Sequence, residues 1–107
     1  MSIDLIIYNA KDLAAAKKTL AVYLGAEPYA DSPYYVGFRV GGLEVGVAQG
    51  DAPATTFSKV TDLKRAIAAL VETGCTVVEE PHPVGGTRSI AVVKDAAGNR
   101  LGLMHDA

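Results

Sequence analysis

The chain of 107 residues holds one cysteine, two histidines, no cluster of lysine and arginine, and no long apolar run. Each scarcity excludes something. Cys75 has no second cysteine to form an internal disulfide with, which fits a reducing, cytoplasmic setting. Ten basic residues stand against twelve acidic ones, for a net charge of −2, and they are scattered, so nucleic acid is not an expected partner. The apolar runs fall far short of the ~20 residues needed to cross a bilayer, so no membrane span is expected. The first residues enter the strand-like "IDLIIY" with no basic n-region or cleavage site, so no signal peptide is read there. The two histidines, His82 between prolines and His105 near the C-terminus, read as solvated side chains rather than as ligands.

What is present is ordinary globular composition: 50% apolar and 21% charged residues. "IDLIIY" (3–8) is a strand. Asp12 stands where an N-cap belongs, and in "LAAAKKTLAVYL" the residues Leu13, Ala16, Leu20 and Leu24 recur at helical spacing up to Gly25. "AEPYA" is a weak strand that Pro28 sends to an edge. "YYVGFRV" (34–40) and "LEVGVA" (43–48) form a hairpin about Gly41-Gly42. The series then recurs: strand "TTFSKV" (55–60), a helix capped by Asp62 and stopped by Gly74, and strand "CTVVEE" (75–80). A loop "PHPVGGT" leads to a hairpin of "RSIAVVK" (88–94) and "NRLGLMH" (99–105) around "DAAG".

The halves match in detail. "KDLAAAKKTLAVYLGAE" lies over "TDLKRAIAALVETGCT", and "GLEVGVAQ" over "GNRLGLMH", pairing Gly42 with Gly98 and Gly46 with Gly102. An internal repeat of this length implies two modules of one kind, about 1–49 and 54–107, making a single domain over 1–107.

"KDLAAAKKTLAVYLGAE" and the ending "DAAGNRLGL" resemble the corresponding segments of the vicinal oxygen chelate superfamily. That superfamily includes glyoxalase I, bleomycin-resistance proteins and extradiol dioxygenases, and the chain is most similar to its small glyoxalase-like members. Ala96 stands where the family's ending has proline. The resemblance implies an α+β fold: two βαβββ modules forming a curved, cup-like mixed sheet, with the helices on the outer face. It also implies where a metal would sit, one ligand on the first and one on the last strand of each module. Carried across, these positions are Leu5, Gly46, Thr55 and Gly102. Two glycines and a leucine offer no donor, and threonine is a poor one. No metal and no cofactor are therefore expected, and glyoxalase I or dioxygenase chemistry is disfavoured. Gly46 and Gly102 are expected to open space on the cup floor.

Strand parity selects the residues that line the cup: Leu5, Ile7, Glu44, Gly46, Thr55, Phe57, Arg100, Gly102 and Met104. Glu44 and Arg100 hold equivalent places in the repeat. In a site of low dielectric they pair with each other or with a ligand; at the rim both stay solvated. Glu79 and Glu80 alternate on a strand, so they cannot both face inward. Tyr29, Tyr34, Tyr35 and Phe38 could stack on a flat ligand, but packing explains them as well.

The expected function is binding of a small molecule without a metal, with antibiotic sequestration as one form of it. The alternative is a metal-independent isomerase or lyase using Glu44 as base and Arg100 as electrostatic stabiliser. A third possibility is a module that serves only assembly. A homodimer is expected, because each module carries sheet edges to be covered.

Overall fold

The computed structural model describes residues 2–107. The order of elements is β1 (Ile3–Ala10), α1 (Leu13–Leu24), β2 (Ala30–Asp31), β3 (Tyr35–Val40), β4 (Leu43–Gln49), β5 (Thr55–Lys59), α2 (Leu63–Glu72), β6 (Thr76–Gly85), β7 (Arg88–Lys94) and β8 (Arg100–Asp106). The chain forms two compact units, one built on Asp4–Ala54 and the other on Thr55–Ala107. Each runs strand, helix, strand, strand, strand, so the α+β fold of βαβββ units read from the sequence is what the chain adopts.

In the first unit β4 is antiparallel to β3 and parallel to β1, and β2 adds a short antiparallel edge to β3. The helix that carries the chain back from β1 starts where the sequence says. The Asp12 carboxylate accepts the Ala15 amide at 3.0 Å, satisfying one of the amides a helix start leaves without a partner. Gly25 ends the helix in the left-handed conformation at φ 63°, which a side chain would disfavour. Under the helix lie Val36, Phe38, Val45 and Val47, packed against Leu13, Ala16, Leu20 and Leu24. Phe38 is wholly buried, a burial worth about 1.5–3 kcal/mol.

The second unit repeats the plan. β5 is parallel to β8, β8 is antiparallel to β7, and β7 to β6. Asp62 caps α2 through the Arg65 amide at 3.1 Å. At the other end the Thr73 hydroxyl donates to the Leu70 carbonyl at 2.7 Å, before Gly74 turns the chain at φ 106°.

Two elements depart from the sequence reading: the weak strand read in "AEPYA" is reduced to Ala30–Asp31, and β6 runs on where the sequence reads as a loop. Residues 81–87 are read there as a loop, whereas β6 continues through Pro81 and Pro83 to Gly85 and turns into β7 through Gly86 and Thr87. β6 pairs on one side only within this unit, so prolines lacking an N–H can point away from β7. Irregularities in the register at Val77/Glu79, Glu79/His82 and Pro83/Gly85 absorb the mismatch. Among the described residues no helix is long and apolar enough to cross a membrane.

Candidate functional site

Strand alternation puts one set of side chains under each helix and the other on the opposite face. In the first unit, register with β4 assigns Leu5, Ile7, Tyr35, Arg39, Glu44 and Gly46 to the face away from α1. Glu44 there accepts a hydrogen bond from the Tyr29 hydroxyl at 2.8 Å. The Arg39 guanidinium lies 4.4 Å from the centre of the Tyr29 ring, a cation–π contact. Gly37 makes room for that ring: a Cβ at Gly37 would stand 3.0 Å from its hydroxyl end. Partial burial pushes the Tyr29 phenol above its ordinary pKa. The bond to Glu44 and that carboxylate's charge push it further, and Arg39 opposes them. A groove of about 270 Å3 adjoins Arg39, Gly41, Gly42, Leu43 and Glu44.

In the second unit Thr55, Glu79, His82 and Arg100 form a continuous polar chain. Arg100 donates through Nε to the buried Thr55 hydroxyl at 2.8 Å and through Nη2 to Glu79 Oε2 at 3.4 Å. Glu79 Oε1 is bonded to His82 Nε2 at 2.9 Å. On the α2 side, a groove of about 380 Å3 is lined by the first residues of α2 and by Pro81, His82, Pro83, Ser89 and His105. His105 Nδ1 lies 2.9 Å from the Val60 carbonyl. A carbonyl only accepts, so that nitrogen carries a proton.

These positions correct several expectations. Gly46 and Gly102 do not open space. A Cβ at Gly46 would fall against the end of the Tyr35 ring, with Cζ at 2.6 Å, and one at Gly102 against the Phe57 ring, with Cγ at 2.6 Å. The glycines are the sockets of aromatic side chains, which is the close-approach use of glycine in a strand. Glu44 and Arg100 each find partners within their own unit. His82 and His105 are both hydrogen-bonded, because β6 and β8 extend through them.

Of the remaining candidates, Leu5, Thr55, Phe57 and Met104 are buried, while Ile7 is half-buried. Phe57 meets Gly102, and Thr55 meets Arg100, as strand parity required. Sequence reasoning passed over Arg39 and set Glu79 and His82 aside. Arg39 could have been found by counting outward from the Gly41-Gly42 turn, which pairs it with Glu44. Nothing local marks Glu79, since its reach to Arg100 depends on the irregular register of β6.

A family profile described as the Glyoxalase/Bleomycin resistance protein/Dioxygenase superfamily matches residues 2–103. Comparison of the sequence with curated proteins returns no match. Solved structures with a similar fold include an NAD-dependent benzaldehyde dehydrogenase from Legionella pneumophila, 15% identical, covering 96% of this chain and 98% of that one, with a TM-score of 0.75. A glyoxalase/bleomycin resistance protein/dioxygenase superfamily member from Vibrio splendidus 12B01 is 14% identical, over 95% and 97% of the two chains, also at 0.75. Methylmalonyl-CoA epimerase from Mycobacterium tuberculosis is 16% identical, over 98% and 87%, again at 0.75. Equal likeness to proteins bearing such different names is likeness of fold; chemistry has to be argued from this chain's own residues.

Proposed function

The chain belongs to the glyoxalase/bleomycin resistance protein/dioxygenase superfamily, and within it we propose a protein that binds a small molecule without a metal ion. Its seat is the helix-free sheet face that the family resemblance makes a cup. The observation that carries this reading is the state of Thr55. It is the one oxygen donor among the four positions that the resemblance assigns to a metal, and its hydroxyl already accepts from the Arg100 guanidinium. A divalent ion placed there would face a fixed positive charge. Gly46 and Gly102 bring no donor, and the space at each is taken by an aromatic ring. Among the described residues no group of three or more His, Cys, Asp or Glu side chains gathers into a ligand set. These residues do not fit a divalent ion.

What the same faces do offer is polar anchoring: Tyr29, Arg39 and Glu44 in one unit, Arg100 and Glu79 in the other. Binding sites of small molecules combine apolar lining with a few such groups. The isomerase or lyase reading stands second, because Glu44 would first have to give up the Tyr29 hydroxyl and Arg100 is committed to Thr55 and Glu79. We further propose a homodimer in a reducing, cytoplasmic setting, where the buried Cys75 stays a thiol.

Thermal unfolding against a panel of small aromatic and aliphatic compounds, with elemental analysis of the same sample, tests the function. Stabilisation without turnover supports it. About one Zn, Ni, Mn or Fe per chain, retained through dialysis, overturns the metal-free part. Turnover that resists chelator and is lost in Glu44→Gln replaces the binding reading by the enzymatic one. A light-scattering mass near the 11.1 kDa of one chain at micromolar concentration overturns the dimer.

A further inference from the structure

The hairpins that carry Glu44 and Arg100 are equivalent in the repeat but not in charge. In the first unit Arg39 lies directly across from Glu44, so the cross-strand pair is complementary. At the same place in the second unit Lys94 lies directly across from Arg100. Residues so paired share one side of the sheet, and like charges in that relation repel. The Arg100 side chain is only 18% exposed, so water screens its charge poorly.

Its protein partners leave the excess uncancelled. Nε is spent on the neutral hydroxyl of Thr55, and Nη2 reaches Glu79 only at 3.4 Å. Glu79 is itself shared with His82. The carboxylate next to Lys94, that of Asp95, holds its own turn by accepting from the Ala97 and Asn99 amides and from the Asn99 side chain. Among the described residues, Nη1 of Arg100 and the ammonium of Lys94 have no partner. A guanidinium held from two sides, with donors left over and a second cation beside it, is arranged to receive an anion.

We propose that Arg100 and Lys94 form the oxyanion-binding end of the ligand site, so that the small molecule carries a carboxylate or phosphoryl group seated between guanidinium and ammonium. The inference rests on the small-molecule reading and adds the chemical class of the ligand. Arg100 supplies directional donors whose position is set by Thr55 and Glu79. Lys94, on a flexible stem at the surface, closes over the anion as a point charge. Glu79 is a positioning residue with a second effect: it orients the guanidinium, while its negative charge competes with the incoming anion.

The test is binding of phenylacetate, phenyl phosphate and the neutral phenylacetamide, followed by titration calorimetry. At least one anion binds about tenfold or more tighter than phenylacetamide, as charge-assisted hydrogen bonds predict. In Arg100→Gln the anion loses far more affinity than phenylacetamide, so that preference collapses; Lys94→Gln, at an exposed position, loses part of it. Glu79→Gln tightens the anion by about three- to fivefold, the worth of a partly exposed charge pair, where a merely structural role would weaken it. Preference for phenylacetate assigns a carboxylic acid and preference for phenyl phosphate a phosphoryl compound. If Arg100→Gln does not fold, Lys94→Gln and Glu79→Gln carry the test, with their opposite expected signs. Equal affinity for amide and anions, or a preference that survives both cation variants, overturns the proposal and leaves small-molecule binding standing. Failure of all three probes at millimolar concentration also overturns it, and binding of a neutral compound from the wider panel then shows that the parent reading survives.

Discussion

Replacing Gly102 by alanine adds one methyl group to β8, and the structure says what it meets. The new Cβ would stand 2.6 Å from Cγ of Phe57, with other ring atoms closer still. Carbon atoms in contact rest about 3.5–4.0 Å apart, so one of them has to move by about an ångström. Phe57 is 3% exposed and has nowhere open to go. The backbone is not the obstacle, since Gly102 is absent from the glycines with positive φ. The loss is therefore overpacking, expected at about 1–3 kcal/mol. For a domain of this size each kcal/mol lowers the melting temperature by about 4–8 °C.

Urea unfolding of Gly102→Ala, Phe57→Ala and the double variant measures the effect and its source. Phe57→Ala by itself costs about 3–5 kcal/mol. In its background Gly102→Ala costs nothing further, because the ring it would strike is gone. Gly42→Ala is the control: a Cβ there meets nothing within 4 Å, and the φ of Gly42 is not positive. It is expected to be neutral or to stabilise by about 0.4–1 kcal/mol. If Gly102→Ala unfolds at the same urea concentration as the parent, or costs as much in the Phe57→Ala background, the socket account of these glycines is wrong.

Other expectations follow from single contacts. Near-ultraviolet absorbance should show a tyrosine step above the ordinary phenol value, and Tyr29→Phe should remove that step. Because folding raises this phenol's pKa, its contribution to stability is present below the ordinary tyrosine value and is lost as pH rises through the folded value. Asp62→Ala should lower stability by about 1 kcal/mol and Asp62→Ser should restore most of it, read by urea unfolding, since the side chain's role is to accept the Arg65 amide. Asp106 is held below the usual carboxylate range by its hydrogen bond from Arg88. Its stabilising contribution is present above the unfolded value and is lost as pH falls through the folded one. Carboxyl NMR titration of Arg88→Ala should return Asp106 toward the ordinary value, and an unchanged midpoint would assign the shift elsewhere.

The sequence by itself determined the elements that depend on neighbours along the chain. Asp12 and Asp62 cap helices because a carboxylate three residues before an amide can reach it whatever the rest of the protein does. Gly25 and Gly74 stop them because the left-handed turn is a property of one residue. The repeat of "DL" starts and glycine stops was enough to foresee two βαβββ units, and alternation along strands placed Phe57 and Gly102 on one face. Only the tertiary structure decided what those faces hold. In the sequence Gly46 and Gly102 read as open floor, and what overturns that reading is Tyr35 and Phe57, rings brought from other strands by register. The continuation of β6 through two prolines required an edge to put them on, and edges exist only once strands have paired. The meeting of Glu79 with Arg100 follows from strand partnership between residues that no local spacing connects, whereas Lys94 and Arg100 flank the turn already legible at "DAAG". The same partnerships give Glu44 and Arg100 each a hydrogen-bond partner inside its own unit.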